Sequence, residues 1–315
     1  MTRPTPPSPP RPLRLGTRRS PLAMAQAHEA RDRLVAAHGW SEDAVEILPV
    51  LASGDRIQDR PLADIGGKAL WTKELDAWLG EGEIDFAVHS MKDVETIRPP
   101  ALTIAALLPR ADVRDVLIGA TRLGTIPRGA RLGTSAPRRA AQMLNLRPDV
   151  EIVGFRGNVA TRLAKLQTGE ADVTLLAAAG LERLEQTGVG HPLDAEDWLP
   201  APAQGAIGIE CRTDDEAVRG WLSAIDDAPT RAQVMAERAL LLALGGSCHS
   251  PVAVLTTGSD MLVMRAAIFS PDGIFRVERE AQFAAGDDDA PAELARRLLA
   301  EAPEAVSTYF SGPPM

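Results

Sequence analysis

The feature that most constrains the fold is an echo within the chain: "RLGTRRSPLAMAQ" begins at Arg14 and "RLGTSAPRRAAQM" at Arg131. Each copy reads as a short strand, a Gly-Thr turn and a helix. Ser20 suits an N-cap with Pro21 at the first helical position, Pro137 takes a comparable place in the second copy, and the first helix stops near Gly39. A second pair follows in the same order. "GGKALWTKELDAWLGEGEIDFAVHS" and "RGNVATRLAKLQTGEADVTLLAAAG" both read as a helix, a Gly-Glu-x-Asp break and a buried strand, at 84–88 and 173–177. Alternating helices and strands imply parallel pairing. Chance likeness of short motifs does not explain two echoes in one order. The expected architecture is α/β: two like-built lobes with mainly parallel sheets facing each other across a cleft, with ligands at the carboxyl ends of the strands.

The first lobe carries an insert absent from the second, "LASGDRIQDRPLADIGGK", whose glycines and charges suit a mobile lid or a plain surface loop equally. The apolar strand "GAIGIEC", 205–211, follows the Pro-rich "LPAPAQ" and is expected to return the chain to the first lobe. A helix "RAQVMAERALLLALGG" opens a third unit. There "MLVMRAAIF" and "IFRVEREAQF", joined by the turn Pro271, Asp272, Gly273, read as an antiparallel meander, and a helix over 290–301 completes a small α+β domain. The expected division is a disordered Pro-rich tail over 1–12, domain 1 over 13–109 and 203–226, domain 2 over 110–202, and domain 3 over 227–315.

Composition excludes several classes. Aromatic residues make up 4% of the chain, so nothing interleaves aromatic and basic side chains to stack nucleic-acid bases. A net charge of -9 repels polyanions, so acidic ligands must be met by local arginine clusters. Cys211 and Cys248, with no C-x-x-C pair, form neither a disulfide framework nor a zinc site, which fits a reducing compartment. The tail lacks the apolar run of a secretory signal, and no later stretch is apolar for long enough to span a bilayer. The expectation is a cytoplasmic protein with a small-molecule substrate and neither nucleic acid nor membrane as partner. With no coiled-coil heptad or long apolar surface helix, the chain reads as a monomer.

The strand over 84–88 runs into "HSMKD", which sets His89, Ser90, Lys92 and Asp93 at its carboxyl end, where a crevice belongs. Arginines gather at comparable places: Arg18, Arg19, Arg138, Arg139, Arg156, Arg162 and Arg183. A guanidinium fork binds carboxylates bidentately and keeps its charge, and helix N-termini add a favourable dipole. Together these residues point to a polyanionic small molecule, although pairing with the abundant Glu and Asp is an open alternative. No Walker motif is present and no G-x-G-x-x-G follows a strand, which argues against a nucleotide. Cys248 follows "ALGGS", where Gly245 and Gly246 end an apolar helix, so its thiol is either projected from a loop or buried and inert. Adjacent His249 does not make a nucleophile pair with it, because such partners come from separate segments. Cys211, inside an alternating strand, reads as buried filler.

The segments "TRRSPLAMAQ", "GGKALWTKEL", "DFAVHSMKDV", "GTSAPRRAAQ", "RGNVATRL", "AAAGLERL", "QGAIGIECR" and "GGSCHSP", in that order, closely resemble the porphobilinogen deaminase (hydroxymethylbilane synthase) family from Leu13 to the end of the chain. The resemblance implies three domains, the first two like periplasmic binding protein lobes, and a dipyrromethane cofactor attached covalently to Cys248 by a thioether. It implies head-to-tail condensation of four porphobilinogen molecules with loss of ammonia, then hydrolytic release of the linear tetrapyrrole. Asp93 would be the catalytic carboxylate, hydrogen-bonded to pyrrole nitrogens. Arg18, Ser20, Ser90, Lys92, Arg138, Arg139, Arg156, Arg162 and Arg183 would hold the carboxylates of cofactor and substrate, with Gln204 near the hinge as a further cofactor-binding residue. Against the family pattern, Glu95 stands where proline is usual, Ala136 and Pro137 where Ser and Leu are usual, and Ala203 where glycine is common. Two other classes compete. A dicarboxylate-binding protein would explain the paired lobes but neither Cys248 nor the Lys92–Asp93 strand tip, and a cysteine hydrolase would carry a free reactive thiol.

Overall fold

The structure, a computed structural model, describes residues 9–50, 72–247 and 249–312. Along the chain, β1 (Leu13–Arg18) leads into α1 (Pro21–His38), β2 (Val45–Val50), α2 (Lys73–Gly80), β3 (Phe86–Ser90), a 3-10 turn (Met91–Asp93) and β4 (Leu102–Leu107). Next come β5 (Asp115–Ile118), β6 (Arg131–Gly133), α3 (Pro137–Leu146), β7 (Glu151–Val153), α4 (Val159–Gln167), β8 (Val173–Ala177), α5 (Ala178–Arg183) and β9 (His191–Pro192). The last segment holds β10 (Ile207–Arg212), α6 (Glu216–Leu222), α7 (Ala228–Leu244), β11 (Val252–Gly258), β12 (Met261–Phe269), β13 (Arg276–Ala284), α8 (Asp289–Glu301) and α9 (Glu304–Ser307).

Two compact units result, one built from the described residues up to Arg110 with 206–231, the other from 111–205 with those from 232 onward. The first contains a five-stranded sheet in the order β2-β1-β3-β10-β4. There β1 pairs in parallel with β2 and β3, while β10 runs antiparallel to β3 and β4. The second contains a five-stranded sheet in the order β7-β6-β8-β5-β9, with β6 parallel to β7 and β8, and β5 antiparallel to β8 and β9. The sequence echo is therefore a repeat of topology: β1, β2 and β3 correspond to β6, β7 and β8, and each sheet takes one antiparallel strand from a crossing segment. The strand after the "LPAPAQ" stretch does return to the first sheet, as β10.

Local signals place these elements. Ser20 Oγ accepts from Ala23 N at 3.3 Å, Pro21 starts α1, and Gly39 ends it in the left-handed region at φ 66°. The helix buries Ala23, Ala27, Ala30 and Leu34 along one face, and Leu34 alone contributes roughly 2 kcal/mol of apolar burial. β3 starts two residues later than its apolar run suggests, because Ile84 precedes the ladder and Asp85 uses its carboxylate on Arg11 and the Arg14 N–H. His89 and Ser90 thus end the strand rather than follow it. Arg11, inside the expected tail, forks onto Asp85 at 2.7 Å; residues 1–8 lie outside the described residues. So do the insert "LASGDRIQDRPLADIGGK" and Cys248.

The second unit also holds an antiparallel sheet, β11-β12-β13, packed with α7 and α8 around Leu240, Leu244, Met264, Ile268 and Leu298. The expected meander is present, but β11 precedes it and the short α9 follows α8. Ala141 and Leu199 pack with Ala253, Ala267 and Phe269, joining this sheet to the five-stranded one within the unit. The crossing segment passes through Ala203, a non-glycine residue at φ 59°, whose N–H donates to buried Glu237 Oε2 at 2.6 Å.

Candidate active site

In the first unit the carboxyl ends of β1 and β3 meet the N-terminus of α1 and form a recess. Arg18, Ser20, Gln26, Thr72, His89, Ser90 and Asp93 line it with polar groups, over an apolar floor that includes Ala23, Val88 and Val94. Arg18 ends β1 and Ser20 caps α1, so a guanidinium and the positive end of an 18-residue helix face the same space. Ser90 ends β3 and is tied to the helix: Gln26 Nε2 donates to Ser90 Oγ at 2.8 Å, and Ser90 Oγ donates to Gln26 Oε1 at 3.0 Å. Asp93 closes the 3-10 turn that follows; Met91 N donates to Ala206 O and Val94 N to Met91 O. Lys92 shares that turn without lining the recess.

Behind His89 lies a buried charge network. His89 Nε2 sits 3.1 Å from Glu210 Oε2, and Arg98 donates to both oxygens of Glu210 at 2.8 and 2.9 Å. Burial by itself drives the Glu210 carboxyl up, but His89 and Arg98 outweigh it and hold it at about 2. Cys211, the next residue, is fully buried, and that burial pushes its thiol up to about 11, the inert filler its strand pattern implied.

In the second unit three of the residues read as ligand-binding converge on an internal carboxylate. Asp115 Oδ2 accepts from Arg138 Nη2 at 2.8 Å and from Trp198 Nε1 at 2.8 Å. Its Oδ1 accepts from Arg139 Nη2 at 2.7 Å and Gln204 Nε2 at 2.9 Å. Both arginines are buried; Arg138 Nη1 also donates to Leu199 O and Arg139 Nη1 to Leu175 O. Arg162 Nε donates to Gly157 O at the start of α4, Arg183 Nη2 donates to Gly205 O, and Arg156 is half-buried in the loop before α4. The residues flanking Cys248 form a turn: Gly246 N donates to Leu241 O, Ser250 N to Ser247 O and Ser247 N to Ser250 Oγ.

The sequence therefore placed Arg18, Ser20, His89, Ser90 and Asp93 at the recess, His89 without a ligand role, and left out Gln26 and Thr72. Gln26 had a legible signal, being the polar residue in the Ala23, Ala27, Ala30, Leu34 stripe of α1. Asp115 had none, since its partners lie 23 to 89 residues away.

The chain matches the family description "Porphobilinogen deaminase, dipyromethane cofactor binding domain" over residues 13–220 and "Porphobilinogen deaminase, C-terminal domain" over 231–303. It is 56% identical over 311 residues to the porphobilinogen deaminase of Sphingopyxis alaskensis, covering 96% of this chain and 98% of that one. It is 47% identical over 303 residues to that of Nitrobacter winogradskyi, covering 95% and 96%. The chain belongs to the porphobilinogen deaminase family.

Two solved structures show a more distant likeness. The BvgS periplasmic VFT2 domain of Bordetella pertussis is 13% identical at a TM-score of 0.39, over 68% of this chain and 86% of that one. The periplasmic sulfonate-binding protein SsuA of Methylobacillus flagellatus is 16% identical at 0.38, over 73% and 68%. As a porphobilinogen deaminase family member the chain carries the dipyrromethane cofactor-binding domain. The donor set of the recess suits an acidic pyrrole: a guanidinium, the hydroxyls of Ser20, Ser90 and Thr72 and a helix N-terminus for carboxylates, and one carboxylate for a pyrrole N–H.

Proposed function

We propose that the chain is a hydroxymethylbilane synthase in which Asp93 is the catalytic carboxylate of the recess and Cys248 the point of covalent cofactor attachment. The activity follows from family membership along nearly the whole chain. The observation that supports the role of Asp93 is that it lines one recess of the first unit together with Arg18 and the α1 N-terminus.

Porphobilinogen carries an acetate and a propionate, so both substrate and product are polyanions. Arg18 and the N-terminus of α1 offset that charge in the first unit, and the half-buried Arg156, Arg162 and Arg183 are the candidates for it in the second. Ser20 Oγ, Ser90 Oγ and Gln26 supply neutral hydrogen bonds that fix orientation without adding charge. Loss of ammonia from the aminomethyl group of porphobilinogen leaves positive charge on the pyrrole. The Asp93 carboxylate accepts the pyrrole N–H and opposes that charge as it develops, and Lys92 in the same turn is the nearby cation for a substrate carboxylate. When bound, dipyrromethane supplies a tethered pyrrole chain end to which substrate units are joined. Arg138, Arg139 and Gln204 are held on Asp115, so their part in carrying ligand carboxylates runs through that cluster.

The same proposal takes the protein as a cytoplasmic monomer with three domains; among the described residues no helix is long and apolar enough to cross a membrane. Intact-mass measurement of the purified protein tests the tether. The parent should exceed its sequence mass by two condensed porphobilinogen units and Cys248→Ala should match the bare chain. A parent at bare mass that still consumes porphobilinogen would refute the attachment. Asp93→Asn should keep the added mass and lose turnover by about 10²-fold or more.

A further inference from the structure

We infer that Glu95 and Arg98 form a clamp that positions Asp93, and that Glu95 is the positioning residue of the pair. The inference rests on the reading of Asp93 as the catalytic carboxylate. Arg98 has a low exposure of 9% and spends its five N–H donors on four residues. Nε and Nη2 hold Glu210 at 2.8 and 2.9 Å, Nη2 also holds Asp76 Oδ1 at 2.5 Å, and Nη1 holds Glu95 Oε2 at 2.8 Å and Thr72 Oγ1 at 3.3 Å. Thr72 Oγ1 in turn donates to Glu95 Oε2 at 2.8 Å. One guanidinium thereby joins β10 through Glu210, the start of α2 through Thr72 and Asp76, and the segment just past the 3-10 turn through Glu95.

The geometry fixes what this clamp controls. Asp93 is followed by Val94, a buried residue at φ −90°, ψ 128°, and then by Glu95, so a single residue separates the carboxylate in the recess from the anchored one. On the other side the turn is fixed by Met91, which is buried and bonded through its N–H to Ala206. Asp93 therefore sits on a short bridge with one footing at Met91 and the other at Glu95. Thr72 and His89, which both line the recess, belong to the same network, His89 through its contact with Glu210. A bond at Glu95 is thus read out at three points of the recess wall, and loss of the Glu95 carboxylate frees the carboxyl-side footing of Asp93 and the Thr72 hydroxyl while removing no side chain that lines the recess.

Misplacing a catalytic group by about 1 Å costs up to 10²-fold in rate, whereas uniform substrate binding is carried by other residues. Glu95→Ala should therefore lower kcat by about tenfold or more and leave KM within about twofold. Glu95→Gln keeps an oxygen that accepts from Thr72 and Arg98 and should recover most of the lost rate. The measurement is steady-state consumption of porphobilinogen by protein whose added mass has been verified, normalised to the folded fraction from circular dichroism. Three results would overturn the inference: kcat of Glu95→Ala equal to the parent; a loss entirely in KM; or Glu95→Gln as impaired as Glu95→Ala. Failure of the underlying reading has a separate signature, since Asp93→Asn would then turn over at the parent rate whatever Glu95 does.

Discussion

Asp115 offers the most direct test of how buried charge organises the second unit. Its carboxylate is fully buried and is the common acceptor for Arg138, Arg139, Trp198 and Gln204. In Asp115→Asn the side chain keeps its size and loses its charge, so two guanidiniums in the interior have no anion beside them, and the new amide turns a donor toward other donors. Breaking a buried pair by removing one partner costs about 3–5 kcal/mol, a large share of a total stability of about 5–15 kcal/mol. With a urea slope of about 3 kcal/mol/M, the unfolding midpoint followed by circular dichroism should fall by about 1 M or more. The pH dependence has a definite sign. Burial raises the Asp115 carboxyl, but Arg138, Arg139 and Trp198 more than reverse this and hold it well below the usual carboxylate range. A group depressed on folding stabilises fully above its unfolded value, near 3.9, and the contribution is lost as pH falls toward the folded value. The gap between parent and Asp115→Asn should therefore be constant from pH 7 to about pH 5 and shrink by about 1.4 kcal/mol per unit below about pH 4. A midpoint within about 0.3 M of the parent, with no narrowing at pH 3, would refute the reasoning.

Two further outcomes follow from backbone geometry. Ala203 sits at φ 59°, where a Cβ costs about 1–2 kcal/mol, so Ala203→Gly should raise the thermal midpoint by about one to three degrees even after the added unfolded-chain entropy of glycine. Gly208 in β10 has no room for a side chain, because a Cβ there would overlap Met91 Sδ at the foot of the Asp93 turn. Gly208→Ala should cost about 1–3 kcal/mol in denaturant unfolding and also lower kcat per folded molecule; an unchanged kcat would show that the turn tolerates movement of Met91.

What the amino-acid sequence determined by itself was everything carried by short-range patterns. The Ser20–Pro21 start and Gly39 stop of α1, the turn at 271–273 and the period of the apolar runs depend on residues within a few positions of one another, so they were readable in order along the chain. The twin echo went further, because two copies of one local pattern fold into one strand order twice. The position of Ser90 and Asp93 at a strand end was legible for the same reason. β11 and the added α9 were missed, since "VAVLTT" and a four-residue helix carry weak periodicity.

Tertiary structure alone decided how the charges are spent. Arg138 and Arg139 have the same sequence signature as a ligand-binding pair, yet both point at Asp115, which a crossing strand brings in from 23 residues upstream. Arg98 carries no local pattern that names its partners, yet it joins Glu95, three residues before it, to Glu210, 112 residues further along the chain. Guanidinium and carboxylate groups carry no local pattern that names their partners. Their pairing depends on which strands lie side by side, and burial then makes the resulting pairs hard to break.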